Sequence, residues 1–284
     1  MGSRVVDRAR RGGRESGAVS RVSRQAGGAG PGRQPRNTKS SSSLPSNKFR
    51  GKPEPGAAGQ RPLRDPDAVL DRQRWDQLVP HLERAGVDPA ATMPRLRAYA
   101  RLLMDWNRGY SNLISRGDES RFVERHLLES LQPAEWLKSC GAKKWLDFGS
   151  GGGLPAIPLA IAGVGNEWTL VESRRNKTLF LRKVVQEIGL GFVHVWLGRL
   201  EGLLGPEDGI GLFDGFTSRA TLRLSPTLAL ASRCVGPGGR AFLWKGSSGP
   251  QELSAGDWKK DWVQDGAQDI GSGIVVLRFT RGSV

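Results

Sequence analysis

The chain has 284 residues, 37% of them hydrophobic and 25% charged, with a formal net charge of +15. Two cysteines without a CxxC pairing (Cys140, Cys234) and three scattered histidines (His81, His126, His194) indicate neither a disulfide framework nor a metal site, so a reducing, cytoplasmic setting is expected. No apolar leader follows Met1, and the apolar run from Leu154 is short and broken by Pro155 and Pro158, so neither a secretory signal nor a membrane span is expected.

The charge is unevenly spread. Residues 1–64 hold 15 Lys/Arg and 3 Asp/Glu, a net +12, and are rich in Gly, Ser and Pro with few large apolar side chains. Such a segment cannot bury enough surface to offset the entropy of ordering, which predicts a disordered arm. A flexible basic arm suits polyanions, chiefly nucleic acid, through salt-sensitive contacts. An inert extension and a transit peptide are the alternatives. The remaining residues, about 220, suit one domain with a sizeable core.

Residues 65–140 read as helical. "PDAVLDRQRWDQLVPHLERAG" places Val69, Leu70, Trp75, Leu78 and Leu82 near one stripe of a 3.6-residue period. "MPRLRAYARLLMDWN" repeats the pattern with Leu96, Tyr99, Leu103 and Trp106. The loop "RGYSNLISRGD" follows, and then a third helix, "ESRFVERHLLESLQPAEWLK". With no strands between them, these helices are expected to form an N-terminal helical subdomain.

After Gly141 the period changes. "KKWLDF", "EWTLVE", "FVHVWL", "GLFDGFTS", "RAFLWK" and "GIVVLRFT" read as strands, and helical patterns such as "NKTLFLRKVVQEIG" and "SPTLALASRCVG" alternate with them. This alternation predicts βαβ units over 141–284: a doubly wound α/β fold with a mostly parallel sheet. Ligands of such sheets sit beyond the carboxyl ends of the strands, which is where functional residues are sought.

The first strand runs into "LDFGSGGGLP". The dinucleotide fingerprint G-x-G-x-x-G started at Gly149 would need a glycine where Leu154 stands. The D-x-G-x-G-x-G reading fits without a mismatch: Asp147, then Gly149, Gly151 and Gly153, whose bare backbone can pack against a nucleoside such as S-adenosylmethionine. Glu172 ends the second strand and suits the ribose hydroxyls, as acids at this point do in nucleotide-binding sheets. Arg199 and Glu201 follow the third strand, where an adenine would lie; an ordinary turn is the equal alternative. Ser218 and Arg219 end the fourth strand, and Lys245 with Gly246 ends the fifth. Two cations beside the crevice suit an anionic substrate such as RNA.

In this order, "WNRGYSNLIS", "RHLLESL", "DFGSGGGLPAIPLAI", "TSRA" and "WKG" resemble the RsmG (GidB) family, the bacterial small-subunit rRNA guanine-N7 methyltransferases, over roughly Arg64 to Val284. The resemblance implies a class I (Rossmann-like) S-adenosylmethionine-dependent methyltransferase fold. By it Asp147, Gly149, Gly151, Gly153 and Leu154 line the cofactor, Glu172 takes the ribose, and Leu200 with Glu201 edges the adenine. Arg219 adjoins both cofactor and substrate, and His126, Arg219 and Lys245 match polar positions around the substrate opening. The implied partner is 16S rRNA, in its 530-loop region, met as naked RNA, as the small subunit or as an assembly intermediate, by a monomer with no membrane contact.

The chemistry agrees with the residues. Guanine N7 carries a lone pair and no proton, so its methylation needs no general base, and no nucleophilic triad stands out in the sequence. Trp106 and Tyr110 are candidates for a base-stacking face, with core packing the alternative for Trp106. His126 is either an RNA or methionine-pocket group or a satisfied structural histidine. Three other readings stay open: a methyltransferase on a small molecule or protein, a non-catalytic RNA-binding assembly factor, and, more distantly, a nicotinamide dehydrogenase.

Overall fold

The computed structural model describes residues 65–203, 212–219 and 221–282. The arm expected over 1–64 lies outside them.

Asp65 caps α1 (Pro66–Leu70) by accepting from the Asp67 amide, and proline at the first helical position costs no hydrogen bond there. The single helix expected from this stretch is broken into α1, a 3-10 turn (Trp75–Leu78) and α2 (Val79–Arg84). The Trp75 indole donates to the Leu70 carbonyl at 2.8 Å, occupying an acceptor that a continuous helix would use. The apolar stripe survives the break: Leu70, Trp75, Leu78 and Leu82 are all buried. α3 (Pro89–Gly109) starts four residues before the expected "MPRL", because Asp88 caps it through the Ala90 amide at 2.9 Å. The third predicted helix is a 3-10 turn (Arg116–Arg121), a π-helical turn (Val123–Leu128), α4 (Glu129–Leu131) and, past Pro133, α5 (Ala134–Ser139).

The α/β part runs β1 (Lys144–Phe148), α6 (Ala156–Ile161), β2 (Glu167–Glu172), α7 (Arg175–Ile188), β3 (Val193–Leu197), α8 (Leu200–Leu203), β4 (Phe213–Arg219), α9 (Leu224–Ala231), β5 (Val235–Lys245), α10 (Gly249–Ser254), β6 (Trp262–Asp269) and β7 (Val275–Arg281). The sheet order is β3-β2-β1-β4-β5-β7-β6, with the first five strands parallel and β7 antiparallel to both β5 and β6. That order, closed by an antiparallel hairpin, is the class I methyltransferase form of the Rossmann-like fold. The order reverses between β1 and β4, which opens a crevice at their carboxyl ends.

Two cores cover the two faces. One joins α3, α6 and α7 and the earlier helices to the sheet; the other joins α8 and α9 with Trp258 and Trp262. The helices of 65–140 thus share a continuous core with one face of the sheet. In that core Trp145 and Trp168 stack at 5.3 Å on adjacent strands. Gly215, the register partner of Trp145 on β4, leaves the space that the indole fills. Among the described residues no helix is long and apolar enough to cross a membrane.

Candidate active site

The glycine loop leaves β1 at its carboxyl end and folds back over β2. The amides of Gly149 and Ser150 both donate to the Val171 carbonyl, at 3.0 and 3.1 Å. Gly149, Gly151 and Gly153 all have positive φ, +73°, +55° and +86°. At two of them a side chain is also excluded by space. A Cβ on Gly149 would overlap the Thr221 methyl, and one on Gly153 would lie 2.6 Å from Ile157 Cγ1. Around Gly151 there is room, with no atom closer than 3.8 Å. The loop is therefore sculpted from within at its ends and open at its middle.

Glu172 holds that shape. One carboxylate oxygen accepts the Gly151 amide at 2.9 Å and the other accepts the Arg174 amide at 2.8 Å. Each oxygen keeps lone-pair capacity for a further donor. From outside, the Tyr99 hydroxyl on α3 donates to the Gly152 carbonyl at 2.7 Å. Leu103 and Leu113 pack against the same glycine. Asn107 fixes that second contact, because its side-chain oxygen accepts the Leu113 and Ile114 amides at 2.7 and 3.0 Å. Asn107 lies within "WNRGYSNLIS", yet no local pattern marks its role, because its burial near the end of α3 exists only in the fold.

Asp147 is 1% exposed, and its Oδ1 accepts from Thr217 at 2.6 Å while Oδ2 is buried without a partner. Desolvation pushes its pKa up to about 7; the Thr217 hydrogen bond and the nearby Ser150 hydroxyl, which donates to the Asp147 backbone carbonyl at 3.1 Å, oppose that rise and the Glu172 charge adds to it. Leu154 borders the loop with its side chain packed against the helical core. Leu200 is fully buried in the other core beside Val171, while Glu201, its expected companion, is exposed on α8. The Arg199 side chain makes no hydrogen bond or ion pair among the described residues, while its carbonyl accepts the Gly202 amide at 3.0 Å.

On the other side of the crevice the polar residues are joined to each other. Arg219 Nη2 reaches Glu129 at 2.6 Å, the Arg125 carbonyl at 3.0 Å and His126 Nδ1 at 3.3 Å. The spacing of "RHLLE" makes this possible, since Arg125, His126 and Glu129 fall three and four residues apart on one helical face. Arg125 Nε lies 3.5 Å from the second Glu129 oxygen. Burial raises the Glu129 pKa against the pull of Arg219 and Arg125, and desolvation lowers that of Arg219 against the pull of Glu129. Desolvation, then Arg219, lowers His126 to about 4, with Asp118 only partly offsetting them. The imidazole is thus neutral near pH 7. Its Nδ1 accepts from Arg219, which leaves the proton on Nε2, facing Asp118 at 3.8 Å. Arg219 Nη1 is buried and unpartnered.

Lys245 is also engaged. Its ammonium bonds Glu252 at 2.9 Å and the Leu222 carbonyl at 2.8 Å, and the same carboxylate accepts the Leu224 amide that opens α9. The two cations expected at adjacent strand ends are both there, each with a carboxylate partner, Glu129 or Glu252, that sequence reasoning did not name. Arg125, Arg219, Trp244, Lys245 and Thr221 line a cleft of about 730 Å³. Thr221 lines that cleft and also packs against Gly149, which sets the cleft next to the glycine loop. Trp106 is half-buried against the core, with its ring 5.7 Å from Phe180 and 4.7 Å from Tyr110, and Tyr110 itself is 74% exposed.

The family described as rRNA small subunit methyltransferase G (GidB) matches residues 92–273. A ribosomal RNA small subunit methyltransferase G of Stenotrophomonas maltophilia is 38% identical over 173 residues, 61% of this chain and 77% of that protein. The protein of the same name from Chromobacterium violaceum is 40% identical over 159 residues, covering 56% and 73%. That of Xanthomonas axonopodis pv. citri is 37% identical over 189 residues, covering 66% and 85%. With its sheet order, its glycine loop and these matches, the chain belongs to the rRNA small subunit methyltransferase G (GidB) family.

Proposed function

We propose that the protein methylates N7 of a guanine in small-subunit rRNA, using S-adenosylmethionine, in the cytoplasm and as a monomer. The observation that carries the cofactor reading is the cradle around Gly151. There a loop of positive-φ glycines is anchored by Glu172, beside a buried Asp147 oxygen with no partner. Glu172, with its orientation pinned by two amides, suits a pair of ribose hydroxyls. The bare Asp147 oxygen suits a cationic donor such as an amino-acid ammonium, which would also return the carboxyl to its charged form. When bound, S-adenosylmethionine supplies a methyl group on a sulfonium sulfur that is a good leaving group.

The residues of the chain then have to place an acceptor, not to activate it. N7 has no proton to lose, so the groups that line the cleft beside the loop need only position it. Its volume, about 730 Å³, has room for a purine nucleotide. The floor is the Arg219–Glu129 pair with neutral His126, held rigid by mutual hydrogen bonds. Because N7 faces the deep, narrow groove of A-form RNA, the target guanine has to be unpaired or in a distorted helix. Tyr110, exposed and backed by Trp106, suits a neighbouring base.

The test is methyl transfer from labelled S-adenosylmethionine to small-subunit rRNA, naked and in particles, lacking its N7-methylguanine. One labelled N7-methylguanine is expected, lost in Gly151→Arg, whose side chain enters the open middle of the loop at a strained φ of +55°, its retained fold being checked by a thermal melt. Cofactor binding without transfer to any of these RNAs would redirect the search to a small-molecule or protein acceptor. Absence of cofactor binding would leave an RNA-binding factor.

A further inference from the structure

The β6–β7 hairpin tip separates two hollows. On one side is the acceptor cleft already described. On the other is a groove of about 520 Å³ whose walls include Arg72, Arg74, Gln77, Arg121 and Glu124. Ser272 lines both. We propose that this second groove is a track for the sugar–phosphate backbone of the RNA strand flanking the target guanine, an assignment that rests on the rRNA methyltransferase reading.

Charge is the first argument. Three arginines line the groove against one exposed carboxylate, Glu124; the other acid there, Glu129, is buried and neutralised by Arg219. Arg72 makes no ion pair or hydrogen bond among the described residues. Arg74 and Arg121 hold only exposed partners, Asp76 and Glu124, both at 3.3 Å. Exposed pairs of this kind contribute little, so a phosphate can replace the carboxylate at small cost. The contrast with the acceptor cleft is direct, because Arg219 and Lys245 are locked to internal carboxylates while the groove arginines are available.

The second argument is mechanical. The wall that carries Arg72 and Arg74 is ordered by the residue between them. Gln73 donates to the Glu119 carbonyl at 2.9 Å and accepts the Val123 amide at 2.8 Å, tying the groove to the π-helical turn that bears Arg125 and His126. The divider presents little bulk. Gly271, Ser272 and Gly273 have φ of +80°, +53° and +72°, and Ser272 is the only non-glycine with positive φ among the described residues. A strand with its base in one hollow can cross this low tip and lay its phosphates in the other. Arginine forks suit those phosphates without reading sequence.

The experiment uses the full chain and two double variants at exposed positions, Arg72→Gln/Arg121→Gln and Arg72→Glu/Arg121→Glu. Affinity for an rRNA fragment spanning the target is measured from about 50 to about 300 mM salt, and methyl-transfer kinetics alongside. Loss of two phosphate contacts on a single strand predicts a log–log salt slope shallower by about 1.4. The Gln variant is expected to raise the KM for RNA roughly tenfold. The Glu variant is expected to raise it further. Turnover at saturating RNA and cofactor affinity stay as in the parent. If the parent transfers methyl and both variants match it in KM and slope, the track is wrong and the enzymatic reading stands. A KM change confined to protein-bearing particles, with naked-RNA affinity intact, gives the groove to a ribosomal protein and overturns the proposal. If the parent neither binds nor methylates RNA, both readings fall together.

Discussion

The two sides of the crevice are built from opposite materials. The side proposed for the cofactor is backbone: three positive-φ glycines, carbonyl and amide contacts, and the Asp147 and Glu172 carboxylates beside them. The side proposed for the acceptor is charge: Arg219 with Glu129, and Lys245 with Glu252, each cation bound to a carboxylate inside the protein. A backbone cradle fails when something is added to it, whereas a buried ion pair fails when something is taken away. This difference explains why the glycine loop could be read locally, while its opposite wall could not.

The largest expected effect comes from removing half of the more buried pair. Glu129 and Arg219 are nearly inaccessible, with side chains 2% and 13% exposed. Arg219→Ala leaves the interior Glu129 carboxylate with only the longer Arg125 contact at 3.5 Å, a loss of about 3–5 kcal/mol. For a domain of this size that is a fall in Tm of roughly 6–20 °C, readable by calorimetry. The double variant Arg219→Met/Glu129→Met removes both charges and is expected to recover most of the stability without restoring methyl transfer. If the single variant melts like the parent, the pair is not the wall's support and Arg219 is free to act on substrate directly.

What was legible follows the same division. Six of the strands announce themselves by short apolar runs, and the loop by glycines within ten residues of one another. β6 did not, because "WVQDGAQD" is a polar edge strand with mostly exposed side chains, paired on one side only. β5 is longer than "RAFLWK" because its first residues, "VGPGG", read as a turn yet begin the strand beside Phe213. The helix expected over Pro66–Gly86 carried a correct stripe, but the indole bond from Trp75 to Leu70 that breaks it is invisible to periodicity. The acceptor wall was the least legible: Arg219 and Glu129 are 90 residues apart, and only the fold brings them together.

A second, smaller effect separates the two sides by the sign of their pH dependence. The Asp147 carboxyl titrates near 7 in the cofactor-free fold against 3.8 for the unfolded reference, so the native state holds the extra proton in that interval. Its contribution is fully present below about 4 and is lost as pH rises through about 7. His126 titrates near 4 against 6.5, so here the unfolded chain binds the proton, and stability is fully present above about 6.5 and lost as pH falls toward 4. Between pH 4 and 6.5 the two oppose. Denaturant melts across that window are expected to slope upward with pH in Asp147→Asn, where only His126 remains, and downward in His126→Asn. Parallel curves for both variants and the parent would mean that neither group is as desolvated as its position indicates. Saturating cofactor should flatten the Asp147 component, since a cation beside the bare oxygen favours the charged carboxylate.

The smallest effect tests whether the helical segment is part of the cofactor side. Tyr99 is fully buried, and its hydroxyl makes one bond, to the Gly152 carbonyl. Tyr99→Phe keeps the ring against Phe122 and deletes only that donor, a loss of about 1 kcal/mol. If the loop were held by β1 and β2 alone, that loss would appear as slightly lower stability and nothing else. Because the middle of the loop around Gly151 is open and Leu103, Leu113 and Tyr99 are what bear on its outer face, the released carbonyl should let the cradle widen. The expected result is a several-fold weaker affinity for S-adenosylmethionine, with RNA affinity and the pH dependence of Asp147 unchanged. Equal cofactor affinity in parent and variant would confine the helices to the core and leave the cradle to the sheet.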